Sequence, residues 1–101
     1  MSRGKTLTYH QLVDGCELMF DEFCKPNDRK RFDISKIVAC TGNERFVQYA
    51  DNIGMVINAN VIGDVYIGCT TIDHDQEFIR YKFLTMLRFL NWRFVQGNND
   101  D

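Results

Sequence analysis

The stretch from Asp73 to Val95 constrains the fold most, because its sequence predicts one helix with two separate apolar faces. Asp73 stands where a helix cap belongs, and Gln76 follows three positions later, a variant of the capping box. At about 100° per residue, one set of apolar side chains gathers on a stripe, which predicts a helix lying on a core. This core stripe consists of Ile79, Phe83, Met86, Leu87, Leu90 and Phe94.

A second apolar stripe on the same helix is aromatic and needs its own explanation. It consists of Phe78, Tyr81, Phe89 and Trp92. A single stripe is what a helix on a core requires, so the sequence leaves three interpretations open. The stripe packs inside the domain between the first helix and a hairpin, pairs with a second copy in a two-fold interface, or binds a different partner.

The residues beside the aromatic stripe indicate which partners it suits. Aromatic side chains anchor protein interfaces, and Arg88 and Arg93 are suited to the rim of such an interface. Single-stranded nucleic acid would also suit stacked aromatics beside Lys82, Arg88 and Arg93. The acidity of the whole chain makes nucleic acid the weaker of these two expectations.

The composition fits one ordinary globular domain spanning residues 1–101, with 45% hydrophobic and 26% charged residues. A net charge of −2 argues against a broadly basic nucleic-acid-binding protein. The polar termini, residues 1–6 and 97–101, are predicted to be disordered. Neither a signal peptide nor a membrane-spanning run is predicted, so we expect no membrane partner and a cytoplasmic location.

The residues that commonly carry chemistry form no recognisable catalytic or metal motif. The cysteines are Cys16, Cys24, Cys40 and Cys69, and their spacing matches no zinc template, so they are predicted to be free thiols. His10 and His74 have no Ser or Cys partner in a nucleophile arrangement. The run Asp73-His74-Asp75 is interpreted as helix-start residues. We therefore predict a protein that is not an enzyme and has no metal or cofactor.

The first half of the chain is predicted to be mainly helical. Apolar residues recur at helical spacing from Tyr9 to Phe23, and Thr8 with Gln11 forms a capping box. Pro26 ends this helix, and a short basic loop, Asp28-Arg29-Lys30-Arg31, follows. The segment Asp33–Cys40 fits either a short helix or a strand.

A second capping box, Thr41 with Glu44, predicts a helix that runs to Ile53 and ends at Gly54. The β-branched residues that follow predict two strands, Met55–Ile62 and Val65–Thr71, joined by a turn at Gly63-Asp64. The predicted fold class is therefore α+β: a helix-dominated single domain with one β-hairpin at about residues 55–71 and a long C-terminal helix. The alternative is an all-α bundle.

The order of elements between Ile34 and Thr71 resembles a winged-helix domain with an added C-terminal helix. The resemblance rests on Ile34–Gly42, on Phe46–Gly54 and on the hairpin around Gly63-Asp64. It implies that the second of the paired helices faces DNA. It would place Asn43, Arg45, Gln48 and Asn52 toward the bases, and Arg29, Lys30 and Arg31 near phosphates.

The function predicted from the sequence is non-enzymatic. We expect a small regulatory or adaptor protein that binds a macromolecular partner through the aromatic stripe. An inhibitor of a partner protein, of the kind many viruses encode, fits this description. The partner is another protein or a second copy of the chain, and the contact residues are Phe78, Tyr81, Arg88, Phe89, Trp92 and Arg93. The alternative is a winged-helix-like DNA-binding regulator that dimerises through the last helix.

Overall fold

A computed structural model describes residues 7–59, 65–69 and 75–97. In chain order, four helices come first, two short strands follow them, and the last helix comes after the strands. The elements are α1 (Tyr9–Phe23), α2 (Pro26–Lys30), α3 (Ile34–Thr41), α4 (Asn43–Asn52), β1 (Met55–Ala59), β2 (Val65–Cys69) and α5 (Gln76–Leu90), followed by a π-helical segment (Asn91–Val95). Apart from Gly97, the termini predicted to be disordered lie outside the described residues.

The first helix has the bounds and the cap that the sequence predicts. The backbone N–H of Gln11 donates to the Thr8 hydroxyl at 3.1 Å, and the Thr8 N–H donates to the Gln11 side chain at 3.0 Å. Both arms of the capping box are therefore formed. The inward face buries Leu12 and Cys16 completely.

The basic segment after Pro26 is a helix, so the prediction of a loop at residues 28–31 is wrong. Proline suits the first position of a helix, because its missing N–H has no partner there in any case. Asp28 accepts the Lys25 N–H at 2.9 Å and so caps the new helix. The ambiguous segment that follows is also a helix, α3, and Asp33 caps it by accepting the Lys36 N–H at 3.2 Å.

The predicted capping box of Thr41 and Glu44 is wrong. Thr41 is the last residue of α3, and Gly42 caps α4 without any side-chain hydrogen bond. Packing buries Thr41 to 4% exposure, which takes its hydroxyl away from the backbone of α4. Gly42 has a φ of +94°, a conformation that glycine adopts without steric cost and that lets the chain turn between the two helices. The predicted helix-ending role of Gly54 is confirmed by its φ of +84°.

The two strands form an antiparallel pair, with Met55 opposite Cys69 and Ala59 opposite Val65. Both are shorter than the predicted Met55–Ile62 and Val65–Thr71. The predicted turn at Gly63-Asp64 lies outside the described residues. β1 lies against α4, and β2 lies against α1.

The predicted α+β class is wrong, and the alternative of an all-α bundle fits the structure. Among residues 7–55 and 75–97, every buried hydrophobic side chain except Leu7, Phe32 and Met55 lies on a helix. A sheet needs about three strands to stand as an independent layer. The strand pair is therefore a ribbon attached to a helical core, and the helices determine the class.

The core forms where α5 meets α1 and α3. The rings of Phe20 and Phe83 meet edge to face, with their centroids 5.1 Å apart. The start of α5 differs from the prediction: Asp75, not Asp73, is the cap, and it accepts the Phe78 N–H at 2.8 Å. The α-helical hydrogen bonding ends at Leu90, and the π-helical segment continues the element to Val95, the predicted end.

Candidate binding surface

The two faces of α5 differ sharply in exposure. Phe83, Met86, Leu87 and Leu90 of the core stripe are buried, as are the neighbouring Leu84 and part of Ile79 and Phe94. The aromatic stripe on the other side is exposed: 39% for Phe78, 65% for Tyr81, 38% for Phe89 and 44% for Trp92. These four residues are called the aromatic face below. Its exposure runs against the interpretation that it packs inside the domain.

Tyr49 of α4 supports one edge of the aromatic face. The centroid of its ring lies 5.3 Å from that of Phe89 and 6.1 Å from that of Phe94. Phe89 in turn lies 6.3 Å from Trp92. The sequence carried no signal for these contacts of Tyr49, because spacing within one helix does not predict contacts with another.

Cationic side chains lie over several of these rings. The Lys82 ammonium is 5.1 Å from the Phe78 centroid, and the Arg45 and Arg93 guanidinium groups are 5.3 and 5.8 Å from that of Phe94. Such positions gain cation–π attraction. Between Phe78 and Gln96 the chain has four cationic residues and no acidic one, although its net charge is −2. The surface is therefore aromatic with a basic border.

Of the two remaining cations of this stretch, Arg88 is exposed, and Arg80 is held by Asp28 of α2. Its Nε and Nη2 donate to the Asp28 carboxylate at 2.7 and 3.1 Å. These hydrogen bonds, with that from the Lys25 N–H and the nearby Arg31, lower the pKa of Asp28 to about 2. The same hydrogen bond raises the pKa of Arg80. Arg80 therefore ties α5 to α2 and contributes little to the aromatic face.

The basic residues predicted to touch phosphates are largely engaged within the chain. Arg29 donates to the two carboxylate oxygens of Glu17 at 2.8 and 2.6 Å and to the Phe32 carbonyl at 3.0 Å. Arg31 lies over the Phe32 ring. Lys30 is exposed. This cluster is therefore mainly a set of ion pairs that fix α2 on α1.

Three of the four residues that the DNA-binding alternative places toward the bases lie together, and the fourth, Asn52, is exposed at the end of α4. Asn43, Arg45 and Gln48 line an open groove at the start of α4. The Asn43 amide donates to the Leu7 carbonyl at 2.8 Å, and Arg45 lies over Phe94. The exposed Gln48 amide and the Arg45 guanidinium therefore lie in the groove, and the Arg45 guanidinium also lies over the Phe94 ring.

The thiols differ in their surroundings. Burial raises the pKa of Cys16, and burial together with the Asp28 charge raises that of Cys24 to about 11. Cys40 is exposed on α3.

The described residues contain no cluster of His, Cys, Asp and Glu that could hold a metal ion. His10 is exposed in the first turn of α1, and His74 lies outside the described residues.

Comparisons with family models, curated proteins and solved structures found no match to this chain. Within residues 7–59, 65–69 and 75–97, no helix has the length and apolar character needed to cross a membrane.

Proposed function

We propose that this protein is a non-enzymatic regulatory or adaptor protein that binds a macromolecular partner through the aromatic face. The observation that carries the proposal is the exposure of four large aromatic side chains on the outer side of α5, each more than one-third exposed. An apolar patch of this kind, bordered by polar residues, is typical of an interaction site. Inhibition of a partner protein is one way in which such a surface could act.

The free energy available from covering this surface is substantial. Fully burying one large apolar side chain gains roughly 1.5–3 kcal/mol of free energy. Each residue of the aromatic face is already partly buried, so a partner that covers it would gain only the share that corresponds to its exposed fraction. Aromatic side chains also lose little conformational entropy on binding, because they have only two rotatable bonds. Phe89 is already held against Tyr49, which lowers that cost further.

The border of the surface suits a protein interface. Arg88 is exposed beside the aromatic face, and Arg93 lies next to Phe94 at the C-terminal end. Arginine is enriched where interfaces need a group that is both planar and charged. Arg88 and Arg93 are therefore proposed as rim residues, with Phe78, Tyr81, Phe89 and Trp92 as the contact itself.

The DNA-binding alternative remains a prediction with less support. Arg29 is bound to Glu17 and Asn43 to Leu7, so two of its proposed contacts already have partners inside the chain. Binding to duplex DNA that weakens steeply as salt is raised would favour it. An absence of binding at low salt would exclude it.

The proposed function can be tested by site-specific crosslinking. A photoreactive phenylalanine analogue replaces Tyr81 in one version of the full chain and the exposed Leu18 of α1 in a control version. We expect the photoreactive residue at position 81 to form crosslinked adducts. These adducts should be lost when the same chain also carries Phe89→Asp or Trp92→Asp. The matched change Asp21→Asn on α1 should leave the adducts unchanged. Equal labelling from positions 81 and 18 would contradict a specific site on α5.

A further inference from the structure

We infer that the occupant of the aromatic face is a second copy of this chain, bound antiparallel across a two-fold axis that passes Thr85. This inference rests on the proposed function and names its partner. The spacing of the aromatic residues along α5 and its π-helical continuation supports this dimer, and the exposed area and nearby charges determine how strongly it associates.

The aromatic face has a symmetric spacing. Phe78 and Trp92 lie seven residues before and after Thr85, and Tyr81 and Phe89 lie four residues before and after it. A two-fold axis at Thr85 reverses the direction of the helix, so it brings Phe78 level with the partner's Trp92. It also brings Tyr81 level with the partner's Phe89. Each exposed ring thus lies level with a ring of the partner copy, and a closed dimer requires such self-complementarity.

Thr85 is well suited to the centre of such a pair. It is the smallest side chain on this face and is half-buried between the aromatic residues. A small residue where two helices cross lets their axes approach to about 8–10 Å. The Thr85 hydroxyl is covered and has no hydrogen-bond partner among the described residues, so a replacement of similar size breaks no bond there.

The exposed area indicates a reversible dimer. At roughly 200 Å² for each aromatic side chain, the exposed fractions leave about 370 Å² of aromatic surface on each copy. Two copies together would bury about 740 Å² from these rings alone, and the stems of Lys82 and Arg88 would add to it. Stable specific interfaces bury about 1,200 Å² or more in total. The aromatic rings alone therefore bury less area than a stable interface does, so the dimer is weak and its population should depend on protein concentration.

Charge gives the dimer a distinctive signature. Lys82 and Arg88 lie three residues before and after Thr85, so the axis brings each lysine level with the partner's Arg88. Like charges at the same level along the two helices repel each other and oppose association, and salt screens this repulsion. The dimer should therefore tighten as salt is raised. An acidic protein or a nucleic acid on the same basic border would instead dissociate.

The first test is the mass of the full chain by sedimentation equilibrium over a wide range of protein concentration. We expect a monomer–dimer equilibrium with a dissociation constant that falls as NaCl is raised. Lys82→Glu should strengthen the dimer at low salt, because it places a carboxylate level with the partner's Arg88. Asp21→Asn on α1 is the matched control and should leave the equilibrium unchanged.

The second test fixes the axis. Thr85→Cys in a Cys40→Ser background should form a disulfide-linked dimer on mild oxidation, since facing residues at a helix crossing come within disulfide reach. Leu18→Cys in the same background should not form it at a comparable rate. Circular dichroism confirms that each variant is folded.

The outcomes separate the dimer from the proposed function. A chain that stays monomeric at every concentration and salt, together with slow oxidation of Thr85→Cys, overturns the dimer. Crosslinks from position 81 to a different protein would then still support the aromatic face as a binding surface. Open-ended polymers would also overturn it, since a two-fold contact closes after two copies.

Discussion

Asp28 and Arg80 lie 52 residues apart in the chain, yet two guanidinium nitrogens of Arg80 donate to the Asp28 carboxylate at 2.7 and 3.1 Å. The carboxylate side chain is only 5% exposed. This pair joins the short α2 to α5. With α5 in this position the core stripe lies inside, and Phe78 and Tyr81 remain exposed.

Loss of this ion pair should destabilise the fold. Asp28→Asn removes the charge and leaves Arg80 with only the exposed Glu77 as a counterion, so we expect the free energy of unfolding to fall by about 1–3 kcal/mol. Urea unfolding followed by circular dichroism measures the change. Asp21→Asn on the exposed side of α1 is the control and should change stability little. Equal effects of the two substitutions would show that the Asp28–Arg80 pair is dispensable.

The same pair predicts a pH dependence. The pKa of Asp28 is lowered from 3.8 to about 2 in the folded chain. The carboxylate therefore contributes stability above pH 4, and that contribution is lost as the pH falls from about 4 to about 2. Urea midpoints measured through this range should drop more steeply for the wild type than for Asp28→Asn. Parallel curves would contradict the assignment.

The two faces of α5 should respond differently to truncation. Leu87 is fully buried, so Leu87→Ala should cost about 2–5 kcal/mol of unfolding free energy. Trp92 is 44% exposed, so Trp92→Ala should cost clearly less at concentrations where the chain is monomeric. Thermal and urea unfolding of the two variants would establish this order. A Trp92→Ala cost as large as that of Leu87→Ala would show that Trp92 belongs to the core.

The thiols should react in a fixed order. Cys40 is exposed, whereas Cys16 is buried with a raised pKa and Cys24 has a pKa of about 11. The thiolate is the reactive form, so iodoacetamide at pH 8 should modify Cys40 long before Cys16. Peptide mapping by mass spectrometry distinguishes the sites. In urea the chain unfolds, so Cys40 and Cys16 should react at similar rates. This control shows that the difference in the folded chain does not come from the intrinsic reactivity of the thiols.

The sequence correctly predicted the features that depend on residues close together in the chain. Thr8 and Gln11 specify a helix start because both hydrogen bonds of the capping box lie within four residues. Gly54 ends α4 for a similar reason, since its positive φ costs glycine little. The core stripe of α5 was also predictable, because burial follows the helical period.

What the sequence did not predict depends on contacts between distant segments. Thr41 carries the same capping pattern as Thr8, but packing buries it and α3 runs through it. The β-branched residues after Gly54 suggested an α+β class, yet a ribbon of two strands is too small to form a core layer. Tyr49 joined the candidate surface only through its contact with Phe89 on another helix.

The π-helical segment Asn91–Val95 bears on how this surface could change over evolutionary time. A π turn holds one more residue than the α turn it replaces, and it corresponds to a single insertion in a helix. Removing one residue here would turn everything after it by roughly 100° and swing Arg93 and Phe94 away from Arg45 and Tyr49. Descendants of this gene could thus exchange one end of the surface by a change in length alone, while the core residues up to Leu90 stay as they are.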